Sequence, residues 1–190
     1  MNKKRNLTRK LAVTGALGAL TVVLALTRLG LIPWFSGASI TILQVPVIIG
    51  AIIEGPFVGL GIGAIFGIFA LIQAAMTPIG LDAFFVNPLI SVLPRLFIGP
   101  AAWGVYTLIK RWKHIPAIAA AAFTGSIVNT VFVLGALVLA GAITWEVFGV
   151  VFVGNGILEA AASMIIGTAV VSAWLHIGSR KKSRLSEEQE

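Results

Sequence analysis

The sequence predicts an all-α integral membrane protein, a single domain (residues 1–190) built as a bundle of six transmembrane helices. Hydrophobic residues make up 58% of the 190 residues and charged residues 11%, whereas a soluble domain is about 45–50% apolar. The apolar residues occur in runs of about 20, the length of a membrane-spanning helix. These runs lack the alternating pattern, about 10 residues long, of outer-membrane barrels. Composition and patterning therefore favour a helical bundle.

The basic residues predict how this bundle is oriented. The chain has a net charge of +7, and its lysines and arginines concentrate in residues 3–10, 110–113 and 180–184. These segments precede the first apolar run, separate the fourth from the fifth, and follow the sixth. Because cytoplasmic connections are enriched in Lys and Arg, both termini are expected in the cytoplasm. The same placement explains the net charge without nucleic acid as a partner.

Six apolar runs predict the spans, and the first two have distinct features. The first is longer than the apolar core of a signal peptide, about 7–15 residues, and Ala12 and Ala16 give it a face that permits close helix contact. The second is short, is interrupted by Pro46 and carries Gln44 near its outer end. The six expected spans are 11–29, 40–53, 57–76, 87–109, 118–139 and 147–175.

The connections between spans add three expectations. Residues 31–39 form an external loop, because Pro, Gly and aromatic residues are typical of the membrane interface. The external loop 77–86 is apolar and is either a lid over a pocket or a segment lying at the membrane interface. Glu54, in the tight turn after the second span, is expected to be a solvated or interfacial carboxylate.

Arg95 is the most informative residue, because it lies well inside the fourth span. A charged side chain at a helix centre costs roughly 2.5–3.5 kcal/mol on insertion scales and normally faces a protein interior or a watery cavity. Asn87 and Ser91 lie eight and four residues before it, so a helix would place all three on one stripe. A snorkelling or internally paired arginine, with Glu159 as its partner, is the structural alternative.

Counting residues from the external helix ends predicts a polar pocket open to the outside. Arg95 would hold a carboxylate or phosphate through its planar guanidinium, and Asn129 and Asn155 would suit an amide or hydroxyls. Such sites are mainly apolar with a few placed polar groups. The candidate substrate-binding residues are Gln44, Phe69, Gln73, Asn87, Ser91, Arg95, Asn129, Asn155 and Glu159. Further apolar walls are expected from Phe66, Phe132 and Phe152.

Enzymatic chemistry is not expected. The chain has no cysteine and a single aspartate, Asp82, so thiolate metal sites and paired catalytic aspartates are ruled out. Its two histidines, His114 and His176, lie at expected internal helix ends, and no H-E-x-x-H or phosphate-binding motif occurs. We therefore expect no catalytic residue, no cofactor and no metal, and energy for any transport must come from partners or an ion gradient.

Four segments resemble one family. They are the basic N-terminus followed by A-x-x-x-A at Ala12 and Ala16, the run QVPVIIGAIIEGPFVG at 44–59, the run NPLISVLPRLFIG at 87–99, and NGILEA at 155–160. Together they resemble the substrate-binding S components of energy-coupling factor (ECF) vitamin transporters of prokaryotic cytoplasmic membranes. Among these, the pantothenate components look most similar.

The resemblance implies roles for several features. Such components bind a vitamin from outside, here beneath the loops 31–39 and 77–86, and topple in the membrane to release it. A transmembrane T component and two cytoplasmic ATPases supply the energy, and Ala12 and Ala16 would dock on the T component. Pantothenate has one carboxylate, an amide and two hydroxyls, whereas riboflavin and pyridoxine carry no carboxylate, so Arg95 favours pantothenate.

Other functions stay open at this point. Within the family, the substrate could instead be pyridoxine or hydroxymethylpyrimidine, riboflavin or cobalamin. From a different class, a stand-alone secondary transporter would use Arg95 and Glu159 as an ion-coupled relay. A membrane scaffold without transport activity is a third possibility.

Overall fold

The structure is a computed structural model that describes residues 3–33 and 39–187. It confirms the all-α membrane class: five stretches are long and apolar enough to cross a membrane, namely Asn6–Leu26, Pro56–Met76, Pro88–Ile109, His114–Leu139 and Trp145–His176. The helices are α1 (Lys3–Leu26), α2 (Val45–Glu54), α3 (Pro56–Met76), α4 (Pro88–Ser91), α5 (Leu93–Ile109), α6 (His114–Leu139), α7 (Trp145–Val151) and α8 (Ile157–Glu187).

The connection between α1 and α2 differs most from the expected spans. Helix α1 ends at Leu26, and two three-residue strands follow, β1 (Leu31–Pro33) and β2 (Ser39–Thr41), which pair antiparallel. The second span was expected to begin at residue 40, but residues 39–41 are extended instead. Residues 34–38, within the expected loop 31–39, lie outside the described residues.

Helix α2 has ten residues, about 15 Å at ~1.5 Å per residue, which is half the thickness of the hydrocarbon layer. Pro46 lies in its first turn, where a missing N–H removes no intrahelical hydrogen bond. Pro46 therefore starts this helix, and the expectation that it interrupts a span was wrong. Residues 45–52 are all buried, and α2 contacts α1, α3, α5, α6 and α8. A short central helix thus forms the core around which the longer helices pack.

Glycines bring α3 and α5 into close contact. A Cβ atom on Gly59 would lie 2.8 Å from the Cα atom of Gly99, and one on Gly63 would collide with the carbonyl oxygen of Arg95. These contacts are with backbone atoms, which cannot move aside as a flexible side chain would. The pairing also makes α3 and α5 antiparallel, so it fixes the height of Arg95 in the bundle.

Replacing Gly63 with alanine is expected to lower the free energy of unfolding by about 1–3 kcal/mol, as overpacking of a tight contact does. The matched control is Gly104→Ala on α5, because nothing lies within 4 Å of a Cβ atom at that position. Thermal unfolding of the purified protein in detergent measures both variants. Equal melting temperatures for the two would contradict the close packing of α3 against α5.

An ion pair joins the start of α1 to the end of α2. Arg9 pairs with Glu54, whose side chain is only 7% exposed. Of the two expectations for Glu54, a solvated carboxylate was therefore wrong, because the neighbouring helix supplies a cation that allows the carboxylate to be buried, and an interfacial one stays a prediction. The contact also places the N-terminal basic segment beside the turn between α2 and α3.

The connection between α3 and α4 and two of the long stretches contain irregular helical segments. Residues Gly80–Val86, most of the expected loop 77–86, form a 3₁₀ helix. The third long stretch is broken at Val92, between α4 and α5. The fifth contains a π-helical turn, Phe152–Gly156, between α7 and α8. Both interruptions lie next to polar residues of the expected pocket.

Candidate functional site

Arg95 lies in the first turn of α5 and is 7% exposed. Its Nη1 atom donates a hydrogen bond of 2.7 Å to the carbonyl oxygen of Ile90. The guanidinium carbon lies 5.4 Å from the ring centroid of Phe66 and 5.2 Å from that of Phe85, within the range of cation–π attraction. The Nε atom is buried and has no hydrogen-bond partner. One backbone carbonyl and two aromatic rings thus position the guanidinium while part of its donor capacity stays unused.

Arg95 is not paired with Glu159. Within the described ranges 3–33 and 39–187, no carboxylate forms an ion pair with Arg95. Glu159 instead accepts hydrogen bonds from the backbone N–H of Thr41, at 2.8 Å, and from the Thr130 hydroxyl, at 3.2 Å. The carboxylate therefore connects β2 with α6 and α8 and forms no ion pair with the guanidinium.

The Arg95 guanidinium and the Glu159 carboxylate face a cavity of about 240 Å³. Two asparagines also line it, Asn129 at 7% and Asn155 at 6% exposure, and the Oδ1 atom of each is buried without a hydrogen-bond partner. A buried polar atom without a partner is destabilising, by about 1–3 kcal/mol, so these atoms point to a ligand or water that would complete them. The lining residues are Thr41, Phe66, Phe85, Arg95, Asn129, Thr130, Val133, Leu134, Val151, Asn155 and Glu159.

A second cavity of about 200 Å³ adjoins the first. It shares Arg95, Phe66, Phe85 and Thr41 as walls, so the guanidinium lies at the boundary between the two spaces. The other lining residues are Ala25, Leu43, Ala70, Gln73, Ala74 and Asp82. The combined site has one chamber on the side of α6 and α8 and another on the side of α1 and α3, and polar side chains line both.

The expected site residues divide into two groups. Arg95, Asn129, Asn155 and Glu159 line the first cavity, and Gln73 lines the second. The other four line neither cavity: Gln44, Phe69, Asn87 and Ser91. Whether any of the nine contacts a substrate stays a prediction.

Residues in the second group have structural partners. The Gln44 amide nitrogen lies within hydrogen-bonding distance of the Thr41 carbonyl (2.9 Å), the Ser126 hydroxyl (3.0 Å) and the Ser163 hydroxyl (3.2 Å). The Ser91 hydroxyl donates to the Gly67 carbonyl.

The remaining two of that group have local roles. Asn87 caps α4 by accepting from the N–H of Leu89. Phe69 packs against the core around α2.

Of the three further phenylalanines expected as apolar walls, one lines the site and two do not. Phe66 lines both cavities, but Phe132 stacks on Phe97, with ring centroids 5.1 Å apart, and Phe152 stacks on Phe148. Thr130 and Phe85 line the site without having been expected there. Thr130 directly follows Asn129, and this adjacency was the available signal. Phe85 comes from the 3₁₀ helix. The apolar character of the loop 77–86 allowed a lid over a pocket, but it did not indicate which side chain would line the site.

The π-helical turn determines where Asn155 lies. In this turn the N–H of Ile157 donates to the carbonyl of Phe152, five residues earlier, where an α-helix would use the residue four earlier. Such turns inside α-helices occur frequently at functional sites. Here the turn contains Asn155 and directly precedes the α8 segment with Glu159.

A larger cavity, about 690 Å³, lies at the other end of α5, where Tyr106 is one of its walls. It is the weaker candidate for an acid-binding site, despite its size. The 240 Å³ cavity has three buried polar atoms without partners, namely the Nε atom of Arg95 and the Oδ1 atoms of Asn129 and Asn155, and such atoms favour a polar ligand.

Two comparisons with known proteins are informative. A family model described as "ECF transporter, substrate-specific component" matches residues 9–178. The pantothenic acid transporter PanT of Lactococcus lactis subsp. cremoris (strain MG1363) is 27% identical over 193 residues, which cover 90% of this chain and 95% of that protein.

The family match covers most of the chain and includes all five long apolar helical stretches except the first three residues of the first. It describes a transport subunit, in agreement with the expectation that the chain is not an enzyme. Members of the family are multi-pass proteins of the prokaryotic cell membrane and work with a T component and ATPases. The chain therefore belongs to the substrate-specific components of ECF transporters.

Proposed function

We propose that this component binds pantothenate from outside the cell and delivers it inward. One observation carries the proposal: the buried guanidinium of Arg95 faces a cavity and has no carboxylate partner among the described residues. A buried cation of this kind is stabilised when an anion joins it. The similarity to a protein named as a pantothenic acid transporter supports the same substrate.

The groups around the cavity match the functional groups of pantothenate. Arg95 binds the carboxylate, because its planar guanidinium can donate two parallel hydrogen bonds to it. Asn129 and Asn155 pair with the amide and one hydroxyl, since each amide side chain donates and accepts. Glu159 accepts from the second hydroxyl. Riboflavin and pyridoxine lack the carboxylate and would leave the guanidinium unpaired.

The proposed topology has six membrane segments in one domain, with both termini in the cytoplasm. The short α2 is the second segment, and β1 and β2 connect it to α1 on the outside. The Arg9–Glu54 pair supports an antiparallel arrangement of α1 and α2. Basic residues at 3–10, 110–113 and 180–184 support the cytoplasmic location of the termini.

We further propose that the partners are one transmembrane T component and two cytoplasmic ATPases, docked through Ala12 and Ala16. Both alanines are exposed on α1, so a partner helix can approach its backbone closely. The 3₁₀ helix and the paired strands cover the substrate from outside. Surrounding membrane lipid is the remaining partner.

The test is a binding screen on the purified protein with radiolabelled pantothenate. We expect unlabelled pantothenate to compete, and pyridoxine, hydroxymethylpyrimidine, riboflavin and cobalamin not to compete. Pantothenol, in which an alcohol replaces the carboxylate, separates charge recognition from recognition of the rest of the molecule, and we expect it to bind at least about 30-fold more weakly. Equal affinity for pantothenate and pantothenol would refute the role of Arg95.

Uptake assays separate this function from a stand-alone secondary transporter. Liposomes that contain only this chain are expected to accumulate no pantothenate under a proton or sodium gradient. Liposomes with the T component, both ATPases and internal ATP are expected to accumulate it. Gradient-driven uptake by the isolated chain would contradict dependence on ATPases.

A further inference from the structure

The 690 Å³ cavity lies between α5, α6 and α8, at the end of the bundle that carries the basic segment 110–113. Tyr106 is at its α5 wall, about 16 Å along the helix axis from Arg95 at ~1.5 Å per residue. The substrate site described above therefore does not include it. Its walls combine apolar side chains, such as Ile115 and Ile118, with two imidazoles, those of His114 and His176.

Several groups around this cavity are suited to an anion. The Lys110 ammonium lies 5.3 Å from the ring centroid of Tyr106, so a cation is positioned over a wall residue. Lys113 precedes the first residue of α6, His114, and no side chain caps this helix start. Unpaired N–H groups at a helix start favour a negative charge. The Ser172 hydroxyl is also buried without a hydrogen-bond partner.

We propose that this cavity binds one anionic phospholipid of the inner leaflet, with phosphatidylglycerol as the test lipid. The phosphate lies between the two imidazoles and the lysines, and the first methylenes of an acyl chain lie along Ile115 and Ile118. Basic pockets between membrane helices on the cytoplasmic side are suited to anionic headgroups. The cavity would thus anchor this end of the bundle to the inner leaflet.

The side chains that line the cavity favour a lipid over a soluble anion. A free phosphate would contact only the polar side chains of the lining and would leave the apolar ones, Ile115 among them, without a partner. A phospholipid can contact both kinds, because it carries an anionic headgroup and apolar acyl chains. This site is separate from the proposed pantothenate site, and naming the inner leaflet is the only step that depends on the proposed orientation.

The test uses the full-length protein in detergent and native mass spectrometry with added lipid. We expect one phosphatidylglycerol to remain bound at concentrations at which phosphatidylcholine does not. Ala173→Trp, which fills the cavity from an exposed position on α8, is expected to abolish this difference. Val170→Trp is the matched control, because Val170 is exposed on the same helix and does not line the cavity.

Charge variants give a second measurement that does not depend on how the tryptophan packs. Lys110→Gln and Lys113→Gln, both at exposed positions, are each expected to weaken phosphatidylglycerol binding about fivefold. Glycerol phosphate at the same concentration is expected not to displace the lipid. The proposal is overturned if the two lipids bind equally, if Ala173→Trp keeps the preference, or if glycerol phosphate competes.

Discussion

Replacing Arg95 with alanine is expected to abolish measurable pantothenate binding. Removing one partner of a buried, hydrogen-bonded charge pair costs about 2–5 kcal/mol, which corresponds to an increase in Kd of about 30-fold or more. The carboxylate would enter a cavity whose remaining polar residues provide no fixed cation. Equilibrium binding of labelled pantothenate to purified wild-type and variant protein measures the change.

Two further variants test whether the loss of pantothenate binding is specific to the guanidinium of Arg95. Arg95→Lys keeps the charge but loses the planar guanidinium, and we expect intermediate affinity because a point charge cannot form the same two parallel hydrogen bonds. Arg28→Gln removes a cation from an exposed position just after α1 and is expected to bind like wild type. Unchanged affinity in Arg95→Ala, or equal losses in Arg95→Ala and Arg28→Gln, would show that pantothenate is bound elsewhere.

Replacing Ala16 with tryptophan is expected to block transport completely and leave pantothenate binding unchanged. Ala16 is exposed on α1 and lines neither substrate cavity. A bulky indole would keep a partner helix from the close contact that small residues permit. Uptake by liposomes with the T component and ATPases measures transport, and co-purification of those subunits measures docking.

The control is Ile165→Trp, which adds an indole at an exposed position of α8. We expect it to retain transport, because α8 has no proposed role in docking. If Ala16→Trp lowers binding and transport to the same extent, the substitution disturbs the fold and the docking role is wrong. Transport at the wild-type rate would exclude this face of α1 from docking.

The fold class could be predicted because hydropathy acts over whole helices. Runs of about 20 apolar residues leave few alternatives in a bilayer, and all five long helical stretches overlap an expected span. The second span was harder to predict, because hydropathy does not distinguish a short buried helix from one that crosses the membrane. Pro46 was read as a break, although its position in the first turn of α2 makes it a helix start.

The site was only partly predictable because polarity alone does not give the rotation of a helix. Asn129 and Gln44 are both buried polar residues, but only Asn129 lines a cavity, since Gln44 is held by Thr41 and two serines. Arg95 could be predicted as a site residue, because a charged side chain inside an apolar span is energetically costly. Phe85 could not be predicted, because its position depends on how the 3₁₀ helix folds back over the bundle.

The π-helical turn has a consequence for comparing this chain with related ones. Deleting one residue between Phe152 and Gly156 would convert the turn into ordinary α-helix, because the carbonyl of Phe152 and the N–H of Ile157 would then be four residues apart. Trp145 and Phe148 would keep their directions relative to Glu159. Winding the same residues as α-helix without the deletion would instead rotate α7 by about 100° relative to α8, so an alignment with a shorter relative must place its gap inside this turn.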